Sequence, residues 1–343
     1  MKKLINIILI TFLFLSCKDD DKVNPDSKFE THTNKRVSSL LMSKNDYSDW
    51  VNNDGFSDSE KRKTLIKDIY TKFSDKYDFI FLILNESTKP SNLKYYGKLI
   101  GVSNKVTGIG LNAYDNSATY GSSGKLKSVM QLCALEYLRN GPSLHELMHN
   151  WANFGIETHA VDALGNNLTS FDYRSHWGFT GGSTKGQLGG FKQSTLDYLG
   201  SNTYSVDPFG FNANGANTIP YTELELYLAG MIPISSISDF DVFNNITSFN
   251  ENGSKYEFVA SKRTTFTSSS LEQLLGKRVP DHNNSQKSFN LLTVVLTDTP
   301  LTEDEWNAVD ATAEWFEKKE SDGVSPYNFF EATNGIASIK MGE

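Results

Sequence analysis

The sequence predicts an α+β fold in which a helix and the strands of a mixed sheet precede a helix that carries the chemistry. Three observations lead there. Leu65, Ile66, Ile69, Tyr70 and Phe73 fall at helical spacing, with Asp58-Ser59-Glu60 as a helix start. Tyr77 to Leu84 follows as a short, continuous apolar run, which suits a strand buried on both faces. Then comes Ser143-Leu144-His145-Glu146-Leu147-Met148-His149-Asn150-Trp151, opened by Asn140-Gly141-Pro142 and closed by Gly155. It predicts a helix over roughly Pro142 to Phe154 with Leu144, Leu147, Met148 and Trp151 facing the core.

The chain opens with Lys2 and Lys3, and an apolar run from Leu4 to Ser16 follows, too short for a comfortable membrane span. Leu15-Ser16-Cys17 resembles the bacterial lipobox, which implies cleavage after residue 16 and diacylation of the Cys17 thiol. Lys18-Asp19-Asp20-Asp21 resembles the acidic signal that sends some lipoproteins to the outer face of the outer membrane. Residues 17–36 are too polar to bury much surface and read as a flexible tether. With Cys17 acylated, Cys133 is left alone in an apolar stretch, as a buried thiol with no chemistry.

Folded structure is expected from 37 to 343, with a subdivision near 235. Tyr95 to Val102 and Val106 to Leu111 are strand candidates interrupted by Gly97, Gly101 and Asn104. Asp115 to Gly124 reads as a loop, and Leu126 to Leu138 suits either helix or strand. The Gly-rich stretch from Gly178 to Gly190 is expected to shape a cleft wall, and Tyr204 to Thr218 to form a long surface loop. Thr222 to Gly230 has a helix cap and a helix stop. Ser254 to Thr267 and Phe289 to Leu296 read as strands, and Thr302 to Lys319 as an amphipathic helix. The C-terminal part is expected to be mainly helical and loop-rich.

The chemistry lies in His145-Glu146-Leu147-Met148-His149. On a helix, residues four apart sit one above the other, so the two imidazoles can bind one metal ion. Glu146 then stands beside the metal, where a carboxylate can take the proton of an attacking water. Catalytic zinc usually takes a third protein ligand, and four of the six histidines fall between 145 and 176. The third ligand can be His176, His159 or a glutamate among Glu157, Glu223 and Glu225. The metzincin continuation is excluded, because Ala152 and Gly155 stand where it needs Gly and His.

The series His145 to Trp151, His176-Trp177, Gly189-Gly190 and Leu224 to Pro233 (Leu-Glu-Leu-Tyr-Leu-Ala-Gly-Met-Ile-Pro) resembles a group of secreted bacterial zincin-type metallopeptidases. Their matching segments read His-Glu-Leu-Gly-His-x-Trp, His-Trp and Leu-Asp-Leu-Tyr-Leu-Met-Gly-Leu-Ile-Pro. The likeness covers about 90 residues and departs at Met148 and Ala229. It implies a zincin-like sheet over the active-site helix, whose edge strand pairs with an extended peptide. It also implies His176 as third zinc ligand, with Glu225 as the alternative or as a carboxylate bonded to a ligand histidine. Tyr227, Tyr173 or the spare imidazole would then stabilise the oxyanion.

Net charge is −8, from 33 basic against 41 acidic residues without clustering, so no footprint for nucleic acid is present. The expected function is a surface lipoprotein zinc peptidase acting on protein or peptide. The competing expectation is a binding or adhesion lipoprotein that keeps the same scaffold without hydrolysis.

Overall fold

The computed structural model describes residues 28–152, 154–156, 176–182, 185–210 and 213–342. The leader, Cys17, Glu157, His159 and Tyr173 lie outside the described residues.

The chain forms β1 (Phe29–Thr31), β2 (Val37–Leu41), α1 (Lys44–Asn52), α2 (Ser59–Lys72), β3 (Phe79–Leu84), β4 (Gly97–Gly101), β5 (Ser103–Asn104), β6 (Tyr114–Asp115), β7 (Ser128–Leu132), α3 (Tyr137–Asn140) and α4 (Ser143–Met148). It continues through β8 (Gly181–Gly182), β9 (Phe191–Lys192), β10 (Asp197–Gly200), β11 (Thr203–Val206), α5 (Glu223–Leu228), β12 (Phe240–Asn252) and β13 (Lys255–Phe266). It ends with α6 (Ser268–Leu275), β14 (Ser288–Thr297), α7 (Glu303–Glu317), α8 (Phe329–Ala332) and β15 (Ser338–Met341). The fold is mixed α+β.

The main sheet runs β1-β2-β14-β3-β7-β4, with β15 also paired to β14. Its middle is parallel, and β4 closes one edge antiparallel to β7. β3, Phe-Ile-Phe-Leu-Ile-Leu, is buried along its whole length. Its alternate side chains serve two cores, because successive strand residues point to opposite faces. Phe79, Phe81 and Ile83 meet α4, α5 and α7 on one face, while Ile80, Leu82 and Leu84 meet α1 and α2 on the other. Each such side chain contributes about 1.5–3 kcal/mol by burial, which fixes the register, since a one-residue slip would exchange the two sets.

A second, antiparallel sheet runs β10-β11-β13-β12 around a phenylalanine-rich core of Phe179, Phe191, Phe243 and Phe258. It corrects three expectations. The C-terminal part is not mainly helical, because β12 and β13 span 13 and 12 residues and β14 another 10. The chain does not divide near 235, because β14 returns to the centre of the main sheet between β2 and β3. Tyr204 is not loop but part of β11, paired with Phe258.

Two local readings also change. The tether ends earlier than 36: Phe29, the aromatic residue of a polar stretch, buries its ring edge-on against Phe73 and draws β1 into the sheet. Val106 to Leu111 is not a strand, since Gly108 and Gly110 hold φ of 74° and 78°, a conformation closed to most side chains.

Candidate metal centre

The helix that carries the histidines is short and is held at its start by distant chain. At its start Asn217, fully buried, accepts the Leu144 N–H at 3.1 Å and donates to the carbonyls of Leu138 and Arg139 and to the Ser143 hydroxyl. The Tyr221 hydroxyl donates to the Leu144 carbonyl at 2.9 Å. Leu144, Leu147, Met148 and Trp151 enter the core, as their spacing predicts. The helix ends at Met148, not Phe154. Beyond it the amides of His149, Asn150 and Trp151 reach carbonyls three residues back, which tightens the coil.

His145 and His149 still present their rings to one point, with Nε2 atoms 3.2 Å apart. His176 brings its Nε2 to 3.4 Å from that of His145. All three ligand atoms lie within 4.8 Å of one another. The His145 Nδ1 sits 2.9 Å from the Gln187 carbonyl, which can only accept, so Nδ1 carries the proton and Nε2 offers its lone pair. A tetrahedral cation with bonds of about 2.0–2.1 Å to nitrogen would space its ligands roughly 3.3 Å apart. Two of the three separations fit that value.

Electrostatics agree with neutral imidazoles. Burial holds His145 down to about 4 and His176 down to about 3, with repulsion from His145 adding to the latter. Burial also pushes His149 well below the usual histidine range, helped by the other two rings. Glu146 moves the opposite way, to about 8, because burial disfavours its charge more than the Leu99 amide and Lys98 favour it.

Leu99 belongs to β4, so the sheet's edge strand stands directly over Glu146. The cleft between them has a volume of about 510 Å³ and is lined by Leu99, Gly101, Tyr114 and Phe154 together with the three histidines and Glu146. Lys105, Tyr227 and the Gly178 to Gly190 stretch stay off this wall.

Glu225 is not a ligand here and bonds no histidine. It is fully buried and its carboxylate accepts four N–H groups: Trp177 Nε1 at 3.0 Å, Leu188 at 2.8 Å, Gln187 at 3.2 Å and Thr222 at 3.0 Å. Burial raises its pKa while those four donors pull it back. The carboxylate therefore stands behind two of the candidate ligands: it holds Gln187, whose carbonyl orients His145, and Trp177, the neighbour of His176. Gly186 makes room for it, since a Cβ there would lie 2.4 Å from Glu225 Oε2. The Gly-rich stretch thus backs the site instead of walling the cleft.

Tyr227 is buried in the core, with its hydroxyl unpaired among the described residues. Tyr114 and Tyr95 line the cleft; Tyr114 lies against Gly101, while the Tyr95 hydroxyl donates to Asp54. Glu223 accepts the Ser238 amide and does not approach the histidines. Sequence reasoning missed Gln187, Asn217 and Tyr114. The Thr222-x-x-Glu225 spacing of a capping box was the signal that Glu225 has other partners, and the box is present. Cys133 is buried, its thiol pushed up to about 12 by desolvation, as an inert thiol should be. No helix of the described residues is long and apolar enough to cross a membrane. No family model, curated protein or solved structure matches the chain.

Proposed function

We propose that this chain is a zinc-dependent peptidase of zincin-like fold, carried as an outer-membrane lipoprotein through Cys17. The observation that supports it most is the convergence of three neutral imidazole nitrogens, two of their three separations at tetrahedral spacing, with Glu146 beside them under the edge strand β4. His145, His149 and His176 would hold the metal, leaving a fourth position open, as in catalytic rather than structural sites. Zinc bound there supplies Lewis acidity and lowers the pKa of water.

The protein's own groups do the rest. β4 is the edge strand of the main sheet and lines the cleft, so an extended peptide can pair with its outer edge and present a carbonyl to the histidines. Glu146 takes a proton from the attacking water and passes it to the leaving amine. The Tyr114 hydroxyl stands on the cleft wall as a donor for the oxyanion.

Metal analysis tests the reading first: the purified protein should carry about one equivalent of zinc. Chelation should abolish cleavage of a denatured protein substrate, and zinc should restore it. Zinc without cleavage of any peptide in a broad library would favour a binding lipoprotein on the same scaffold. Absence of zinc would remove the proposal.

A further inference from the structure

Past Asn150 the protein encloses a second cavity, of about 360 Å³, whose walls carry Lys105, Lys125, Lys127 and Arg278. It adjoins the metal cleft. Asn150, next to His149, lines both spaces, and the chain leaving β4 passes from Gly101 in the cleft to Ser103 in the cavity.

The four positive charges are not balanced. Asp78, fully buried, is the one carboxylate in contact with them among the described residues, at 3.1 Å from Lys125 Nζ and 3.8 Å from Lys127 Nζ. It is also engaged by Gln286 and the Asn290 amide. Lys105 donates to the Gly124 carbonyl. Arg278, 5% exposed, gives its Nε and Nη1 to the carbonyls of Leu228 and Pro280 and the Ser285 hydroxyl, none of them charged. Its Nη2 makes no hydrogen bond among the described residues. Asp115 and Asp281 act on Lys105 and Arg278 through space without contacting them, and one oxygen of each, Oδ1, is taken by Ser117 and by Asn283 and Asn284. Burial lowers Arg278 to about 10, and it lowers Lys127 too, where repulsion from Lys125 and Lys105 adds to it against the pull of Asp78. Gathered, partly desolvated cations of this kind are stabilised by an anion.

We propose that this cavity is an oxyanion subsite that receives a carboxylate of the peptide lying on β4, so that the enzyme acts on acidic peptides. The peptide part rests on the peptidase reading; the anion site does not. An extended chain advances about 3.3 Å per residue, so the way from Leu99 to Asn104 is roughly 16 Å. The acidic group would then lie about three to five residues from the bond cleaved.

The test has two arms. In the first, the whole protein is titrated with inorganic sulfate at low ionic strength and its thermal midpoint followed. Saturable stabilisation is expected in wild type and should weaken about tenfold in concentration for K127M and for K105M. K105M removes an exposed side chain whose hydrogen bond goes to a single carbonyl, so it guards against a folding defect in K127M. In the second arm, paired peptides differing only by Glu or Gln at those positions are compared. Wild type should prefer Glu by about tenfold in kcat/KM, through KM, and K105M should lose the preference while cleaving the Gln peptide as before. Sulfate stabilisation that is absent, or unchanged in both variants, overturns the subsite. Sulfate binding with equal cleavage of both peptides overturns its role in substrate choice and leaves a site for a free anion. Sulfate binding with no peptide cleaved at all rejects the peptidase reading and keeps the anion site.

Discussion

Glu146 and Glu225 are both buried glutamates, one beside the histidines in the cleft and one behind them, and burial raises the pKa of both. Their surroundings differ. Glu146 faces an open cleft with one backbone donor nearby, the Leu99 amide, so its charge is poorly supported and a proton can come and go. Glu225 is enclosed by four N–H donors and has no route to solvent or substrate. The contrast teaches that burial alone does not make a carboxylate catalytic. The number of donors and the access of a reactant decide it.

The largest effect expected follows from that contrast. On the peptidase reading, Glu146→Gln keeps shape and burial but removes the proton acceptor, so hydrolysis should fall by about 10³–10⁴-fold while zinc stays bound. Steady-state kinetics beside metal analysis checks it, and a variant with near-normal kcat would take Glu146 out of the mechanism. Glu225→Gln should do the reverse. An amide offers one oxygen to four N–H groups, leaving buried donors unpaired at about 1–3 kcal/mol each. On the same reading, zinc affinity should drop about 10–100-fold as His145 and His176 lose their supports. Zinc competition titration with unfolding in urea measures both. If Glu225→Gln bound zinc as tightly as wild type, the carboxylate would be no more than a helix cap.

How these two roles divided in the sequence is instructive. His145, Glu146 and His149 lie within five residues, where helical spacing alone makes them a unit, and the core face of that helix was equally legible. His176 is 27 residues beyond His149, and spacing cannot bring it back; the clustering of histidines made it one candidate among several, and the likeness of its His-Trp pair to other sequences singled it out. Gln187 acts through its backbone carbonyl, which no residue type announces. Among larger elements, β3 and β14 were readable as apolar runs because both of their faces are buried. β12 was not, since Asn-rich Phe240 to Asn252 exposes much of one face and its pairing with β13 supplies the stability.

Asn217 sharpens the comparison at the helix itself. It ties four groups at the start of α4, all from residues remote in sequence. Asn217→Ala should cost about 2–3 kcal/mol, since a lost cap and stranded buried partners combine. Denaturant unfolding reads the loss. Because Glu146 and the histidines would keep their chemistry, kcat at saturating zinc should change by less than about threefold, far below the Glu146 effect.

Asp241 supplies the smallest and cleanest contrast, as a carboxylate that is buried but paired with a cation. Burial pushes its pKa up, yet side-chain bonds from Arg263, Thr265 and Gln193 outweigh that and bring it below the usual value. Arg263 grips it with two bonds of 2.9 Å each across β12 and β13. A group whose folded pKa is depressed stabilises the fold above its unfolded pKa, about 3.9 for Asp, and loses that contribution as pH falls through the folded value. Asp241→Asn replaces charged bonds by neutral ones and should cost about 1–2 kcal/mol at pH 7. The difference between wild type and variant should hold from pH 7 to about pH 5 and close progressively below about pH 4. Paired urea unfolding curves across that range decide it: a gap that persists at pH 3 would mean that Asp241 acts through its shape and neutral bonds, and that the second sheet owes nothing to its charge.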